Sequence, residues 1–279
     1  MLTGARRLLM RRLPRATRRV LLVLCLWCAG AQAALACRSL DLVTRGEVVG
    51  TSSSWQDQLT VWYADLTGRY GHGVLGDALE PETLVLYSDL SSSACGHRVT
   101  LTPPLVFEDT APRLADLDGD DWPEIITVRS HDQKGAQIAV YAIDPVDHSL
   151  SLQATTPHIG TRFRWLAPLG AADLDGDGRV EIAYVDRPHL AKTLRIWRYD
   201  NAALTEVSHV SGVTNHRIGE EDIAGGIRHC AEMPEMIVAN ANWSLLLALR
   251  FDGSSVSTTQ LGQDTSRAAF ARAMRCFNP

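Results

Sequence analysis

The sequence predicts an all-β fold, a small β-propeller of about four to five blades with a short C-terminal helix. An acidic motif that begins at Asp116 begins again at Asp173, 57 residues later. Spacings of this size are typical of repeated supersecondary units that pack on one another. Short apolar stretches separated by turn residues follow each copy, as expected for antiparallel strands. The composition, 46% hydrophobic and 21% charged residues, is that of a globular protein.

The first 36 residues are predicted to be a signal peptide. Seven arginines lie within the first 19 positions, and an apolar run follows over 20–28. Alanines then stand at the −3 and −1 positions of two possible cleavage sites, within 31–33 and within 34–36, as signal peptidase requires. Cleavage would place residues 37–279 in the periplasm or outside the cell. Retention of the segment as a membrane anchor is the alternative. No other stretch of the sequence is long and apolar enough to span a bilayer.

The rest of the chain is acidic. Seven of the 27 Lys and Arg residues lie in the first 19 positions, where there is no acid, so 20 basic residues face 32 acidic ones afterwards. Such a surface repels nucleic acid, which excludes it as a partner, and suits cations.

Four cysteines remain after the signal segment: Cys37, Cys95, Cys230 and Cys276. An even number in an exported chain indicates two disulfides, with three possible connectivities. Cys230 stands where the first two acidic motifs have glycine, in a copy that has lost its aspartates. A covalent tie from this loop to the terminal helix would replace a metal ion there. We therefore pair Cys230 with Cys276, and Cys37 with Cys95.

Four repeat units follow one another along the chain. The complete copies span 115–126 and 172–183, a third spans 227–236 and keeps only Glu235, and a shortened copy precedes them at 76–87. The predicted strands are 125–129, 137–143, 149–154, 182–186, 193–198, 205–209, 236–239, 245–251 and 255–260. The stretch 59–63 would complete the last blade or begin a fifth. An open β-sandwich is the alternative fold.

An alanine-rich helix is predicted at the C-terminal end, over residues 267–275. Thr265 or Ser266 would cap it, and Phe270 and Met274 share one side at i, i+4 spacing.

The two complete motifs read Asp-x-Asp-x-Asp-x-x-x-Glu, with glycine at the fourth position. Glycine tolerates the positive φ of a tight turn, and the four carboxylates would repel one another without a cation. Oxygen donors of this kind select a hard ion such as Ca²⁺, so two calcium sites are predicted. A backbone carbonyl at the seventh position would complete each set. The predicted ligands are Asp116, Asp118, Asp120, Trp122 and Glu124 in the first loop, and Asp173, Asp175, Asp177, Arg179 and Glu181 in the second.

With their apolar flanks, these loops resemble the FG-GAP or VCBS-type repeat of integrin α-chain propellers and of many exported bacterial proteins. The stretches 69–77 and 215–219 look like segments of small exported bacterial VCBS-repeat proteins. The resemblance implies calcium held by the carboxylates of the two complete loops. It places no metal on the first copy or the third, whose acidic residues depart from the pattern.

No catalytic constellation stands out in the sequence. There is no Gly-x-Ser-x-Gly, no phosphate-binding glycine loop and no dinucleotide fingerprint. The predicted function is therefore a non-enzymatic binding or interaction module. A propeller hydrolase or lyase, with its site on the loop face, and a structural subunit of an envelope complex are the alternatives. The predicted partner is a protein or a small anionic ligand.

An arginine precedes three of the repeat loops, at Arg69, Arg164 and Arg217, and His72, Trp165 and His216 stand close by. Equivalent positions of successive propeller repeats surround one axis, so these side chains are predicted to converge and bind an anionic group. Guanidinium groups suit bidentate capture of a carboxylate or phosphate. The alternative is that each arginine pairs separately with a nearby carboxylate.

Overall fold

The computed structural model describes residues 49–56, 58–88 and 96–277, with side chains from Ser53 onward. These residues belong to the second of two compact units of the chain, 46–279. The predicted signal segment, Cys37 and Cys95 lie outside the described residues, and so does the predicted Cys37–Cys95 disulfide.

Within the described residues, four antiparallel sheets and one short helix make up the fold, which confirms the predicted small β-propeller. The first sheet contains β1 (Val49–Trp55), β2 (Leu59–Thr67), β3 (Glu80–Ser88) and β4 (His97–Thr100) in that order. The second contains β5 (Leu105–Phe107), β6 (Arg113–Ala115), β7 (Glu124–His131), β8 (Gly135–Ile143) and β9 (Leu150–Thr155); β5 and β6 both pair with β7.

The third and fourth sheets repeat this plan. The third contains β10 (Leu166–Ala172), β11 (Glu181–Asp186), β12 (Thr193–Asp200) and β13 (Ala203–Ser211). The fourth contains β14 (Val213–Thr214), β15 (Gly226–Arg228), β16 (Glu235–Asn240), β17 (Leu246–Phe251) and β18 (Val256–Gly262), with β14 and β15 both on β16. Each sheet is a meander of neighbouring strands, the arrangement of propeller blades. Four separate sheets exclude the two-sheet sandwich.

The stretch 59–63 belongs to β2, which pairs with β1 and β3 in the first sheet. It neither completes the last sheet nor begins a fifth. The shortened repeat at 76–87 lacks an upstream acidic motif, so the sequence comparison did not reveal that two further strands precede it.

The core consists of layers between consecutive sheets. One apolar cluster joins the first and second sheets, another joins the second and third, and another joins the third and fourth. The central strands of the sheets have apolar residues on both faces, and both faces are buried. Trp165, at the start of the third sheet, is 2% exposed and is among the largest buried side chains.

The terminal helix α1 (Arg267–Met274) packs on the fourth sheet. Ser266 caps it by accepting a hydrogen bond from the Ala269 backbone N–H at 3.2 Å, which settles the choice between the two predicted caps. Phe270 is buried against the strands β16 and β17. Cys276, just after the helix, forms a disulfide with Cys230, as predicted, with a Cα–Cα distance of 5.3 Å.

Residues from all four sheets and their connections meet around one cavity of about 740 Å³. Its lining includes residues of each sheet or of the connections within it, among them Glu80, Arg113, Leu169 and Ile223. Burial and the carboxylates of Glu108, Asp77 and Asp109 raise the pKa of Glu80 to about 10.

Candidate functional site

The first acidic loop connects β6 to β7, and its aspartates fold it. Asp116 accepts hydrogen bonds from the backbone N–H groups of Gly119 (2.7 Å) and Asp121 (3.0 Å). Short acidic side chains stabilise turns through such bonds to the residues that follow them. Gly119 adopts a φ of +82°, as the motif predicts for its fourth position. Glu124, at the start of β7, accepts from the Leu117 N–H at 2.9 Å and so closes the loop.

The second acidic loop, between β10 and β11, has the same internal hydrogen bonds. Asp173 accepts from the N–H groups of Gly176 (2.7 Å) and Gly178 (2.9 Å). Glu181 accepts from the Leu174 N–H at 2.9 Å. The two loops are therefore equivalent in backbone as well as in sequence.

Each loop gathers three carboxylates closely enough to hold a metal ion. Oxygen atoms of Asp116, Asp118 and Glu124 lie within 4.8 Å of one another, and so do those of Asp173, Asp175 and Glu181. Neither Asp120 nor Asp177 belongs to these triads. Their role as ligands, and that of the Trp122 and Arg179 carbonyls, stays a prediction.

The first triad suits a hard cation. It offers only oxygen donors, and among the described residues no Lys, Arg or His lies within ion-pair distance of Asp116, Asp118 or Glu124. Burial, followed by the charges of Asp118 and the other two loop aspartates, raises the pKa of Glu124 to about 7. The neighbouring carboxylates thus add to the effect of burial, as expected for clustered negative charges. The loop borders a cavity of about 550 Å³.

The second triad already has a cation from the protein. On β12, Arg198 donates through Nε to Glu181 Oε1 and through Nη2 to Asp175 Oδ2, both at 2.6 Å. Its Nη1 lies 3.2 Å from Asp177 Oδ2. The Arg198 side chain is 14% exposed. As it stands, this arrangement does not fit a metal ion at the centre of the triad.

The third copy of the loop is held by other means. Arg228 donates to Glu235, the glutamate that the copy retains, at 2.8 Å. Cys230 is tied to Cys276 by the disulfide. Arg228 also donates to the Ala273 carbonyl of α1 at 2.9 Å, which fixes the helix to the loop.

Several of the predicted ligand-binding residues meet at a third cavity, of about 310 Å³. His72, Arg164 and Trp165 line it, with Phe163, Arg187 and His189. His216 lies behind Trp165, with its ring 4.8 Å from the indole. His72 stacks on Phe163 at 5.0 Å. Leu190 and Ile218 complete its apolar rim and are 63% and 73% exposed.

A buried glutamate organises the wall of this cavity. Glu108 is fully buried and contacts His72 Nδ1 through one carboxylate oxygen and the Ser130 hydroxyl through the other. Its backbone carbonyl accepts from Trp165 Nε1 at 2.8 Å. Burial raises the pKa of the Glu108 carboxyl, against the opposing effect of His72.

Two histidines form a hydrogen-bonded pair on the same wall. His189 Nε2 lies 3.0 Å from His216 Nδ1. Burial, and to a lesser degree His216, lower the pKa of His189 to about 4. Burial also lowers the pKa of His216. Burial therefore favours the neutral form of both rings.

The three predicted arginines have different surroundings. Arg164 donates to the Phe163 carbonyl at 2.9 Å and, within the described chain, has no carboxylate partner. Arg69 contacts Glu82 and the Leu101 and Leu105 carbonyls. Arg217 lies over the Trp243 ring at 3.7 Å and 3.5 Å from Glu220. Only Arg164 of the three lines the 310 Å³ cavity.

Sequence reasoning missed Glu108, Phe163 and Arg187 at this site. Glu108 reaches His72 across 36 residues of chain, and neither residue belongs to the acidic motif. Phe163 directly precedes the predicted Arg164 in the sequence, and this adjacency could have indicated that Phe163 belongs to the site. His189, in Arg187-Pro188-His189, had no motif around it.

Comparison with known families identifies the repeat. Residues 116–184, which include both acidic loops, match the FG-GAP-like repeat. This match supports an FG-GAP-type repeat protein. No curated protein matches the chain.

Solved structures with similar coordinates share little sequence with the chain. A protein from Lactobacillus plantarum is 14% identical, with a TM-score of 0.42, over 75% of this chain and 54% of its own. An exo-β-1,3-galactanase from Phanerochaete chrysosporium is 12% identical, with a TM-score of 0.41, over 79% and 55%. The fission yeast SREBP–SCAP binding domains are 11% identical, also at 0.41, over 78% and 49%. The chain thus spans about half the length of these structures.

The Cys230–Cys276 disulfide indicates an oxidising, non-cytoplasmic compartment. No helix among the described residues is long and apolar enough to cross a membrane.

Proposed function

We propose that this FG-GAP-type repeat protein is an exported binding module that captures a small ligand with an anionic group in the 310 Å³ cavity. The observation that carries the proposal is the position of Arg164, which lines an aromatic cavity without a carboxylate partner in the described chain. Small-molecule sites are usually concave and largely apolar, with a few polar groups that orient the ligand. A carboxylate or phosphate would take the guanidinium, and the ligand's apolar part would pack on Phe163 and Trp165.

The rest of the wall supports this assignment. Leu190 and Ile218 line the cavity and are exposed, and such apolar surface suits an amphipathic ligand. Neutral His189 and the His72 ring supply hydrogen-bonding nitrogens beside the rings. The predicted signal segment and the disulfide support the proposal that the protein is exported.

In this proposal, calcium is structural and is held in the first acidic loop by Asp116, Asp118, Asp120, Glu124 and the Trp122 carbonyl. The ion would neutralise the loop carboxylates and hold the β6–β7 connection in place. Extracellular modules of this kind bind calcium at about 10⁻⁴–10⁻³ M.

Ligand capture is tested by isothermal titration with inorganic phosphate, acetate, succinate and citrate. Arg164→Ala should weaken the binding of the best anion by about tenfold or more, because a hydrogen bond to a charged group contributes about 1.5–3 kcal/mol. Arg217→Ala is the matched control, since Arg217 lies on Trp243 and outside the cavity lining. Equal loss in both variants, or a fall in melting temperature for Arg164→Ala, would instead support a structural role.

A hydrolase or lyase is the second candidate, and the His72–Glu108 pair favours it. A buried carboxylate that holds one ring nitrogen of a histidine fixes the tautomer and leaves the other nitrogen for proton transfer. If the protein is an enzyme, a bound ligand recovered after incubation will have changed mass, and His72→Asn will abolish the conversion. Recovery of every bound ligand unchanged would leave the binding module as the function.

A further inference from the structure

The two acidic loops differ in the residue that the neighbouring strand places opposite the glutamate. In the third sheet, Glu181 of β11 pairs directly with Arg198 of β12. In the second sheet, Ile125 of β7 pairs with Tyr141 of β8, and the same register places Ala142 opposite Glu124. Cross-strand neighbours on one face lie about 5 Å apart. The backbone ladder therefore directs an arginine into one loop and a methyl group toward the other.

We propose that Arg198 is the resident cation of the second loop, so that this loop takes up no divalent ion and the protein binds one calcium rather than two. The inference rests on the proposed calcium centre of the first loop. It revises the expectation, drawn from the repeated motif, that both loops bind.

The contacts of Arg198 explain why it would exclude the ion. Its guanidinium bridges Glu181 and Asp175 at 2.6 Å each and approaches Asp177 at 3.2 Å. These are three of the four carboxylates that the motif would offer to calcium. A calcium ion would have to displace the Arg198 guanidinium, which strand pairing holds beside the carboxylates. Because this competitor belongs to the same chain, its effective concentration at the loop is high.

The surroundings of the two loops reinforce the difference. Gly253, in the β17–β18 turn, packs on the second loop so closely that an added Cβ would lie 2.9 Å from Asp175 Oδ2. The first loop borders the 550 Å³ cavity, which Asp118, Glu124 and Ala142 line together. Gly178 and Arg179 of the second loop also line this cavity, but none of that loop's triad carboxylates does. An ion with its water ligands can approach Asp118 and Glu124 from this side.

The third loop makes the same use of arginine. Arg228 of β15 pairs directly with Glu235 of β16 and donates to its carboxylate. Two of the three loops thus satisfy the retained glutamate with an arginine from a neighbouring strand. Among the described residues, Glu124 is the loop glutamate that has no such partner.

The test is calcium stoichiometry, measured by equilibrium dialysis of the purified protein at calcium concentrations up to about 10 mM, tenfold above the weak limit for extracellular modules. The unmodified protein should bind one ion, and Arg198→Ala should bind two. Arg195→Ala is the matched control, because Arg195 is on the same strand but pairs with Asp186 and Glu206. It should bind one ion.

The reciprocal variants locate the ions. Asp118→Asn should remove the ion of the unmodified protein, whereas Asp175→Asn should leave it in place. Two ions in the unmodified protein, or loss of its ion in Asp175→Asn, would overturn the role of Arg198.

The experiment also separates this inference from the proposed calcium centre. If the unmodified protein binds no ion and Arg198→Ala gains one, the first-loop centre fails and the role of Arg198 stands. If folded Arg198→Ala gains no ion over the unmodified protein, the role of Arg198 fails, whatever the first loop does. Should Arg198→Ala not fold, the stoichiometry of the unmodified protein and of Asp175→Asn still decides.

Discussion

The first and second acidic loops have the same carboxylates and the same backbone hydrogen bonds, yet different residues face them from the next strand. Ala142 stands beside Glu124, whereas Arg198 enters the second loop and bonds to Glu181 and Asp175. The motif determines the shape of the loop and its oxygen donors. The strand that pairs with the glutamate then determines which cation balances them.

The third loop extends the comparison. It has lost the aspartates, and Arg228 and the Cys230–Cys276 disulfide hold it instead. The three loops occupy corresponding positions in three successive sheets, and we call these positions the corners of the sheets. The first corner has carboxylates suited to a metal ion, the second has an arginine, and the third has a covalent bond with an arginine beside it. Each loop leads into the strand that begins with the loop's glutamate, which is β7, β11 or β16. A displaced loop would therefore expose the apolar cluster behind that strand.

Loss of the covalent corner should have the largest effect. The disulfide closes a loop with a sequence separation of 46, for which the chain-entropy model gives roughly 4 kcal/mol of stabilisation. Replacing both Cys230 and Cys276 by serine should lower the free energy of unfolding by about this amount, measured by urea denaturation at fixed calcium. Calcium stoichiometry should not change. A loss below about 1 kcal/mol would show that Arg228 alone suffices to hold the corner.

Removal of the arginine from the second corner comes next. Arg198→Ala leaves the buried Glu181 and Asp175 without a partner, and breaking such a pair costs about 3 kcal/mol. We expect that loss in urea denaturation with EDTA present, and recovery of much of it when calcium is added. In Arg195→Ala, calcium should restore nothing beyond its effect on the unmodified protein. If calcium does not change the free energy of unfolding of Arg198→Ala, the two loops are not equivalent once the arginine is removed.

Conversion of the first corner should have the smallest effect. Ala142→Arg is designed to place a guanidinium beside Glu124, so the protein should no longer need calcium there. At calcium one hundredfold above the dissociation constant, the unmodified protein should gain about 2.7 kcal/mol over its EDTA form. The variant should lose this gain in thermal melts, as should Glu124→Gln. A calcium-dependent shift that persists in Glu124→Gln would place the ion elsewhere.

Much of this fold could be predicted from the sequence, because the repeat is marked by its own aspartates. The strands after Glu124 and Glu181, the cap at Ser266 and the Cys230–Cys276 pair all follow from local patterns and from alignment of the copies. The first sheet was recognised only in part, because no acidic motif precedes β3. Two of its strands therefore had no counterpart to be aligned with.

The contents of the sites were harder to predict, because they depend on residues brought together from distant strands. Arg198 reaches Glu181 through a β-ladder register that the sequence does not display. Glu108 meets His72 from another sheet. The recurrence of arginines predicted one converging group, but Arg69 bonds to the Leu105 carbonyl, Arg217 lies over Trp243, and of the three only Arg164 lines the cavity. The number of residues between an arginine and its loop does not determine the direction in which the long arginine side chain points.

The role of Arg198 as the cation of the second loop is tested most directly by a crystal structure of the protein grown in calcium, with anomalous scattering used to locate the ion. We expect one anomalous peak among Asp116, Asp118 and Glu124, with Arg198 still bonded to Glu181 and Asp175. A peak among Asp173, Asp175 and Glu181, with the guanidinium displaced, would contradict it.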